Sequence, residues 1–430
     1  MKKKPILKEQ MNRQYYYLFG LSAILMLLAF CLESPQLLLD GMITILISPS
    51  QLFTDYMQIA SVGSTLLNVA IMLLINIYSY KKLEIPVNGT VIGSLGMLAG
   101  FSFFGKNLFN SIPFMLGVWI YAKVTKQNYR NYVIVGLFGS ALGPLVSFLT
   151  FGGVLPSGFS ILIAYVLGIF IGFILPQLST QYLGFHQEFS LYNVGFTAGI
   201  VGMVVLGFLN AFGIEVETKA LANTESPFIL YGLLIGLCLI LLATSFYLHV
   251  QKKEKYHFKL LLKLSGRLPS DFVEMTNLAT VTFNMSIMGF ILLGYVLING
   301  GQLNGPIVGS IIGAMSFGAF GNQVKNTVPV LVGIMIGCYL TGVDVASTSA
   351  LVAAIFGTTL APVSGYYGPL AGVIAGFVHI TLVSHVVVMH GGLNLYNNGF
   401  AGGFVAAVLV PIFEIFEGIR QDIKERKAEG

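Results

Sequence analysis

The chain has 430 residues, 55% of them hydrophobic and only 10% charged, with a formal net charge of +5. A soluble domain carries about 25% charged residues, so the composition excludes one, and a membrane β-barrel would show short alternating strands in place of the long apolar stretches present. The expected class is an all-α membrane protein whose positive charge reflects loops on one side of the lipid, not nucleic-acid binding.

The basic N-terminal stretch MKKKPILKEQMNRQ is followed by no short apolar region with a small-residue cleavage site, so it is expected to remain as a cytoplasmic tail. Apolar spans then fall at about 15–31, 56–80, 86–104, 108–124, 129–150, 158–183 and 190–213. The stretch 36–53 is apolar but interrupted by Asp40, Pro49 and several Ser, and is expected to lie on the surface or re-enter without crossing. A second set follows at about 227–250, 273–299, 303–320, 325–342, 346–365, 367–389 and 396–416, with the basic stretch 252–269 standing where 36–53 stood. The counts give about fourteen transmembrane helices: a first unit over 1–222, a second over 223–418, and a tail over 419–430.

The second set repeats the first. Residues 20–120 lie on 236–336 at a constant shift of 216: Asp55 meets Asp271, Asn68 meets Asn284, Asn88-Gly89 meets Asn304-Gly305, Asn110 meets Asn326 and Pro113 meets Pro329. After small gaps Pro144 meets Pro362, and HQEFSLYNVGF (186–196) meets HGGLNLYNNGF (390–400). With the N-terminus inside and one crossing per span, 21 of 23 basic residues fall inside, and only Lys106 and Lys219 fall outside. Seven spans per unit is an odd number, so the second unit enters from the opposite face. The expected architecture is two inverted repeats of seven with broken or re-entrant segments, a plan common among secondary transporters.

Polar groups in hydrocarbon need a partner or a purpose, and the repeat singles out four sets. Asn107, Asn110 and Pro113 pair with Gln323, Asn326 and Pro329 where one span ends and the next begins; they suit either a surface helix cap or a broken helix aimed at solute. Pro144 and Pro362 permit a kink or an unwound turn. Tyr192-Asn193 and Tyr396-Asn397 offer uncharged donors and acceptors beside glycines. Asn68 and Asn284 sit mid-span, where Asn bonds across helices or lines a pore. These fourteen residues are the expected substrate-binding set.

Other features carry less. His186 and His390 pair across the repeat, whereas His379 and His385, six apart, share no helical face. Cys31, Cys238 and Cys338 lie in apolar segments without metal-ligand spacing and are expected to pack. Gly305, Gly309 and Gly313 recur every four residues, as in close helix packing. GFSFFGKN (100–107) approaches a phosphate-binding loop, but lacks the Ser or Thr after Lys and follows no soluble strand. Lys106 and Lys325 are expected near the two mouths, attracting an anion or merely snorkelling. No nucleophile–base set or metal cluster appears, so no catalytic residue, metal or cofactor is expected.

The strings LYNVGFTAG and LYNNGFAGG, with GKNLFNSIPF and GNQVKNTVPV, resemble a family of bacterial polytopic membrane proteins, domain of unknown function 1576. The resemblance covers nearly the whole chain and implies a bacterial plasma-membrane protein; it supplies no substrate and no site residues. The seven-plus-seven plan is similar, in architecture alone, to that of nucleobase and anion transporters. The function expected is a secondary transporter or facilitator of a small polar solute, neutral or singly charged, bound between the repeats near mid-membrane. The alternatives are a passive small-solute channel or a protein with no transport role. The partners expected are the solute and membrane lipid, with a homo-oligomer left open and both termini cytoplasmic.

Overall fold

The computed structural model describes residues 3–156, 158–216, 220–222 and 227–429, so Lys2 and Lys219 lie outside the described residues. The first copy comprises α1 (Lys3–Leu32), α2 (Pro35–Ile47), α3 (Tyr56–Ile59), α4 (Val62–Lys82), α5 (Gly89–Phe101), α6 (Leu108–Val124), α7 (Val133–Gly139), α8 (Gly143–Phe151), α9 (Ser160–Leu183) and α10 (Asn193–Ala211). The second comprises α11 (Phe228–Gln251), α12 (Phe258–Leu261), α13 (Phe272–Met275), α14 (Leu278–Ile298), α15 (Gly305–Ser316), α16 (Val324–Thr341), α17 (Thr348–Gly357), α18 (Ala361–Tyr367), α19 (Pro369–His390) and α20 (Asn397–Glu429). Two two-residue strands, Phe53–Thr54 and Ala220–Leu221, pair in parallel.

Eleven helices among the described residues are long and apolar enough to cross a membrane, counting α7–α8 and α17–α18 as one broken helix each. The fourteen expected segments are all helical, and this is an all-α, multi-pass membrane protein. α1 and α11 are the least buried of the spans, and α7–α8 and α17–α18 the most.

The copies match at the caps of their central helices, because polar residues, identical or similar, stand where each helix must satisfy its free N–H groups. Asp55 caps α3 and Asp271 caps α13; Ser61 and Asn277 cap α4 and α14; Asn88 and Asn304 cap α5 and α15. The 13 residues of α5 and 12 of α15 span roughly 20 Å at 1.5 Å per residue, short of a hydrocarbon core of about 30 Å. α5 therefore ends in a buried turn, residues 102–107, from which α6 sets out. Tyr129, just beyond α6, clusters with Tyr80, Ile85 and Val87, just before α5, so this hairpin enters and leaves on one side. Re-entrant character thus falls on 89–124 and, by the matching caps, on 305–341. The stretches 36–53, which holds α2 packed against α4, and 252–269, which is mostly irregular, each reach the tip of their own copy through Ile45 O and Ser265 O.

α5 and α15 cross antiparallel. Gly93 lies against Phe320, Gly96 against Ser316, and Gly100 against Gly309, where a Cβ on either glycine would run into the other's carbonyl oxygen. Equivalent helices running in opposite directions make the copies inverted. Contacts elsewhere are reciprocal, as a two-fold relation requires: Gly195 lies on Tyr396 and Gly399 on Tyr192, while Gly199 lies on Phe400 and Gly403 on Phe196, where α10 crosses α20. The aspartates reciprocate too. Asp55 Oδ2 accepts from Gly305 N (3.0 Å) and Asp271 Oδ2 accepts from Gly89 N (2.8 Å), so each copy caps the central helix of the other.

Candidate functional site

Interruptions of α-helix gather around the crossing at four places: two hairpin tips (102–107 and 317–323) and two single 3-10 turns within otherwise continuous helices (Ser140–Leu142 and Thr358–Leu360). Backbone groups freed there must be satisfied by protein, and most of the expected polar residues do this. Asn107 and Asn110 form a capping box at the start of α6, with Asn110 N donating to Asn107 Oδ1 (3.1 Å) and Asn107 N to Asn110 Oδ1 (3.0 Å). Asn110 Nδ2 also donates to Gly105 O (2.9 Å) and Ser147 Oγ (3.0 Å), and Asn107 Nδ2 to Ile45 O (2.9 Å). Gln323 and Asn326 repeat the box at α16, with Asn326 Nδ2 donating to Gly321 O (2.8 Å) and Ser265 O (3.0 Å). Asn68 Nδ2 donates to Ser102 O (2.8 Å) and Lys106 O (3.1 Å); Asn284 Nδ2 does the same for Gly318 O and Asn322 O (both 2.8 Å). The Oδ1 atoms of Asn68 and Asn284 are both buried without a partner.

The prolines mark packing and restart. Pro113 and Pro329 sit inside α6 and α16 against Gly168 and Gly372. Pro144 and Pro362 stand in the first turns of α8 and α18, where a missing N–H costs nothing. The breaks before them are bridged across the copies: Leu191 N donates to Thr359 O and Leu395 N to Ala141 O, both at 3.0 Å. Tyr192 N adds a bond to Thr359 Oγ1 (3.0 Å). Asn193 and Asn397 hold the paired histidines, with His186 Nε2 at 3.0 Å from Asn193 Oδ1 and His390 Nδ1 at 2.6 Å from Asn397 Oδ1. Both histidines are buried and spend a ring nitrogen on these amides. His379 Nε2 lies 3.1 Å from Asn398 Oδ1, and the first copy has Leu175 and Val194 in the matching places, an apolar pair for a polar one.

Where an open polar cleft was expected, the seam holds eight rings. Phe101, Phe104, Phe138 and Tyr192 come from one copy, and their counterparts Phe317, Phe320, Phe356 and Tyr396 from the other. The contacts mirror each other: Phe101–Tyr396 at 4.8 Å and Phe317–Tyr192 at 4.7 Å, with Tyr192–Tyr396 (5.6 Å) joining the copies. The Tyr192 hydroxyl is buried near Thr358 and makes no well-formed hydrogen bond among the described residues. Sequence periodicity treats these phenylalanines as ordinary lipid or core residues; their identity across the shift was the signal available.

Two placements differ from expectation, those of Lys106 and Cys31. Lys106 is not at a mouth: it is 1% exposed, and its Nζ donates to Leu137 O (2.8 Å) at the broken end of α7. Lys325 does reach the surface. Cys31 is exposed on α1, whereas Cys238 and Cys338 are buried. Among the described residues no cluster of His, Cys, Asp or Glu could hold a metal. A separate groove of about 710 Å³ runs between α1 and α11, lined mainly by apolar and tyrosine side chains with Arg13, Lys252 and Glu254 at its rim.

The fold and this centre define a class: an internally duplicated, inverted, multi-pass helical membrane protein with two hairpin tips and two broken helices meeting at a ring-filled seam. The chain belongs to the family described as protein of unknown function (DUF1576), whose model matches residues 34–211 and 250–415. No curated protein and no solved structure matches it.

Proposed function

We propose that the protein is a secondary transporter or facilitator of a small polar solute, neutral or singly charged, in the bacterial plasma membrane with both termini cytoplasmic. The observation that carries this is the convergence of four interruptions of α-helix, two hairpin tips and two 3-10 turns, from two inverted copies, on one seam. Hairpins and discontinuous helices at depth are expensive to build in lipid and recur where solute sites form between inverted repeats. The Tyr192 hydroxyl, buried without a well-formed hydrogen bond among the described residues, supports a solute that accepts one there. The ring cluster supports a carrier over a permanently open channel, since passage requires the Tyr192–Tyr396 layer to part.

The test is flux in liposomes reconstituted with the full chain, using a panel of labelled small solutes. A carrier gives saturable uptake and counterflow. Flux that neither saturates nor exchanges supports the channel, and no flux for any solute class counts against transport.

A further inference from the structure

The two hairpin tips share their fold but differ at four of six positions, SFFGKN (102–107) against GAFGNQ (318–323), and one of these differences is a change of charge. In the second copy the tip is tied to the broken helix by an uncharged amide: Asn322 Nδ2 lies 3.3 Å from both Thr358 Oγ1 and Ala314 O. In the first copy the matching residue is Lys106, tied to the broken helix by one bond, Nζ to Leu137 O. The architectural task is therefore met without charge in one copy, and the charge in the other answers to something else.

An ammonium has three N–H donors, and that of Lys106 uses one. No carboxylate lies within ion-pair distance of it among the described residues. The acid bridged to this tip, Asp55, whose backbone pairs with Phe104, turns its carboxylate to Gly305 N and Met57 N. Lys106 directly precedes the N-cap of the 17-residue α6, so the positive end of that helix adds to the same local potential. A buried cation without a counter-charge is costly, and an anion arriving with the solute removes that cost.

Resting on the transport function proposed above, we infer that the solute is a small monovalent anion, an inorganic monoanion or a short monocarboxylate, whose charge is met by Lys106. One ammonium matches one negative charge; a dianion would leave charge uncompensated, and a cation would be repelled. In the closed form the ammonium rests on Leu137 O, and the anion takes that place when tip and broken helix separate.

The experiment uses the full chain in nanodiscs of neutral phosphatidylcholine. Thermal unfolding is followed at constant ionic strength with nitrate, chloride, formate, acetate or lactate, and with sulfate, urea and glycerol as contrasts. At least one monoanion is expected to raise Tm by about 2 °C near saturation. Lys106→Asn, which installs the second copy's residue, should abolish the rise, while Lys325→Gln should keep it. On the unaltered protein, the same anion should slow amide hydrogen exchange at the first tip, residues 102–107, several-fold without slowing it at the second, residues 318–323, a readout that does not depend on the variant folding. Stabilisation by a neutral solute, equal in wild type and Lys106→Asn, overturns the anion assignment but leaves transport standing. No response to any monoanion in either readout overturns the assignment outright.

Discussion

Asp271→Ala tests the reciprocal bracing of the two copies. The carboxylate serves two helices at once: Oδ1 accepts from Val273 N (2.9 Å) and Glu274 N (3.1 Å) at the start of α13, and Oδ2 accepts from Gly89 N (2.8 Å) at the start of α5 in the other copy. Loss of an N-cap costs about 0.5–2 kcal/mol, and loss of a hydrogen bond to a charged group about 1.5–3 kcal/mol. With partial replacement by water at this half-buried position, Asp271→Ala should cost about 2–4 kcal/mol. Asp271→Asn, which keeps an acceptor but not the charge, should cost about half of that. Glu274→Ala, whose exposed side chain sits on the same short helix, is the control and should stay within about 0.5 kcal/mol of wild type. The assay is equilibrium unfolding by sodium dodecyl sulfate in mixed micelles, with hydrogen exchange reporting on residues 89–92. A cost below 0.5 kcal/mol for Asp271→Ala, or exchange confined to 272–275, would refute the cross-copy brace.

The remaining expectations concern the seam. Gly309→Ala drives a methyl into the Gly100 carbonyl and should cost about 1–3 kcal/mol or abolish folding, whereas Gly207→Ala, with nothing within 4 Å, should be neutral or slightly stabilising; detergent unfolding ranks them. His379→Leu strands the Asn398 amide, and adding Asn398→Val should restore stability by recreating the first copy's apolar pair; a double-mutant cycle should show coupling of about 1–2 kcal/mol. Arg267 lies 3.3 Å from Glu188 and over the Phe189 ring at 4.6 Å; Arg267→Ala should cost about 1 kcal/mol, mostly insensitive to salt because stacking outlasts an exposed ion pair. Tyr192→Phe should leave stability unchanged, since its hydroxyl makes no well-formed hydrogen bond among the described residues, while lowering flux of any solute that bonds to it.

Much of this fold was legible in the residues. The constant shift of 216 located both copies, and the odd number of spans per unit, supported by the one-sided basic residues, implied their inversion; the antiparallel crossing of α5 and α15 is consistent with it. The positions of Asn107, Asn110, Gln323 and Asn326 at span junctions were legible as caps. Three things were not. Asp55 and Asp271 looked like ordinary span ends, because a side chain that caps a helix of another unit leaves no local signature. The length of α5 was overread, since apolarity continues through its buried tip while helicity stops at Phe101. Lys106 was placed at a mouth because the positive-inside rule counts sides and not depth. The ring cluster lies at the junction of segments distant in sequence, and only pairing Phe101 with Phe317 and Phe138 with Phe356 across the repeat points to it.

The inverted duplication, on which the seam and the proposed transport both depend, is tested most directly by labelling equivalent positions from one side of the membrane. Lys82 ends α4 and Ile298 ends α14, at matching exposed places in the two copies. In a Cys31→Ser background, Lys82→Cys and Ile298→Cys are exposed separately to a membrane-impermeant maleimide on whole cells. Labelling of Ile298→Cys alone in intact cells, with Lys82→Cys reacting only after permeabilisation, is the result predicted. Labelling of both from outside, or of neither, would place the copies in the same orientation and contradict the account.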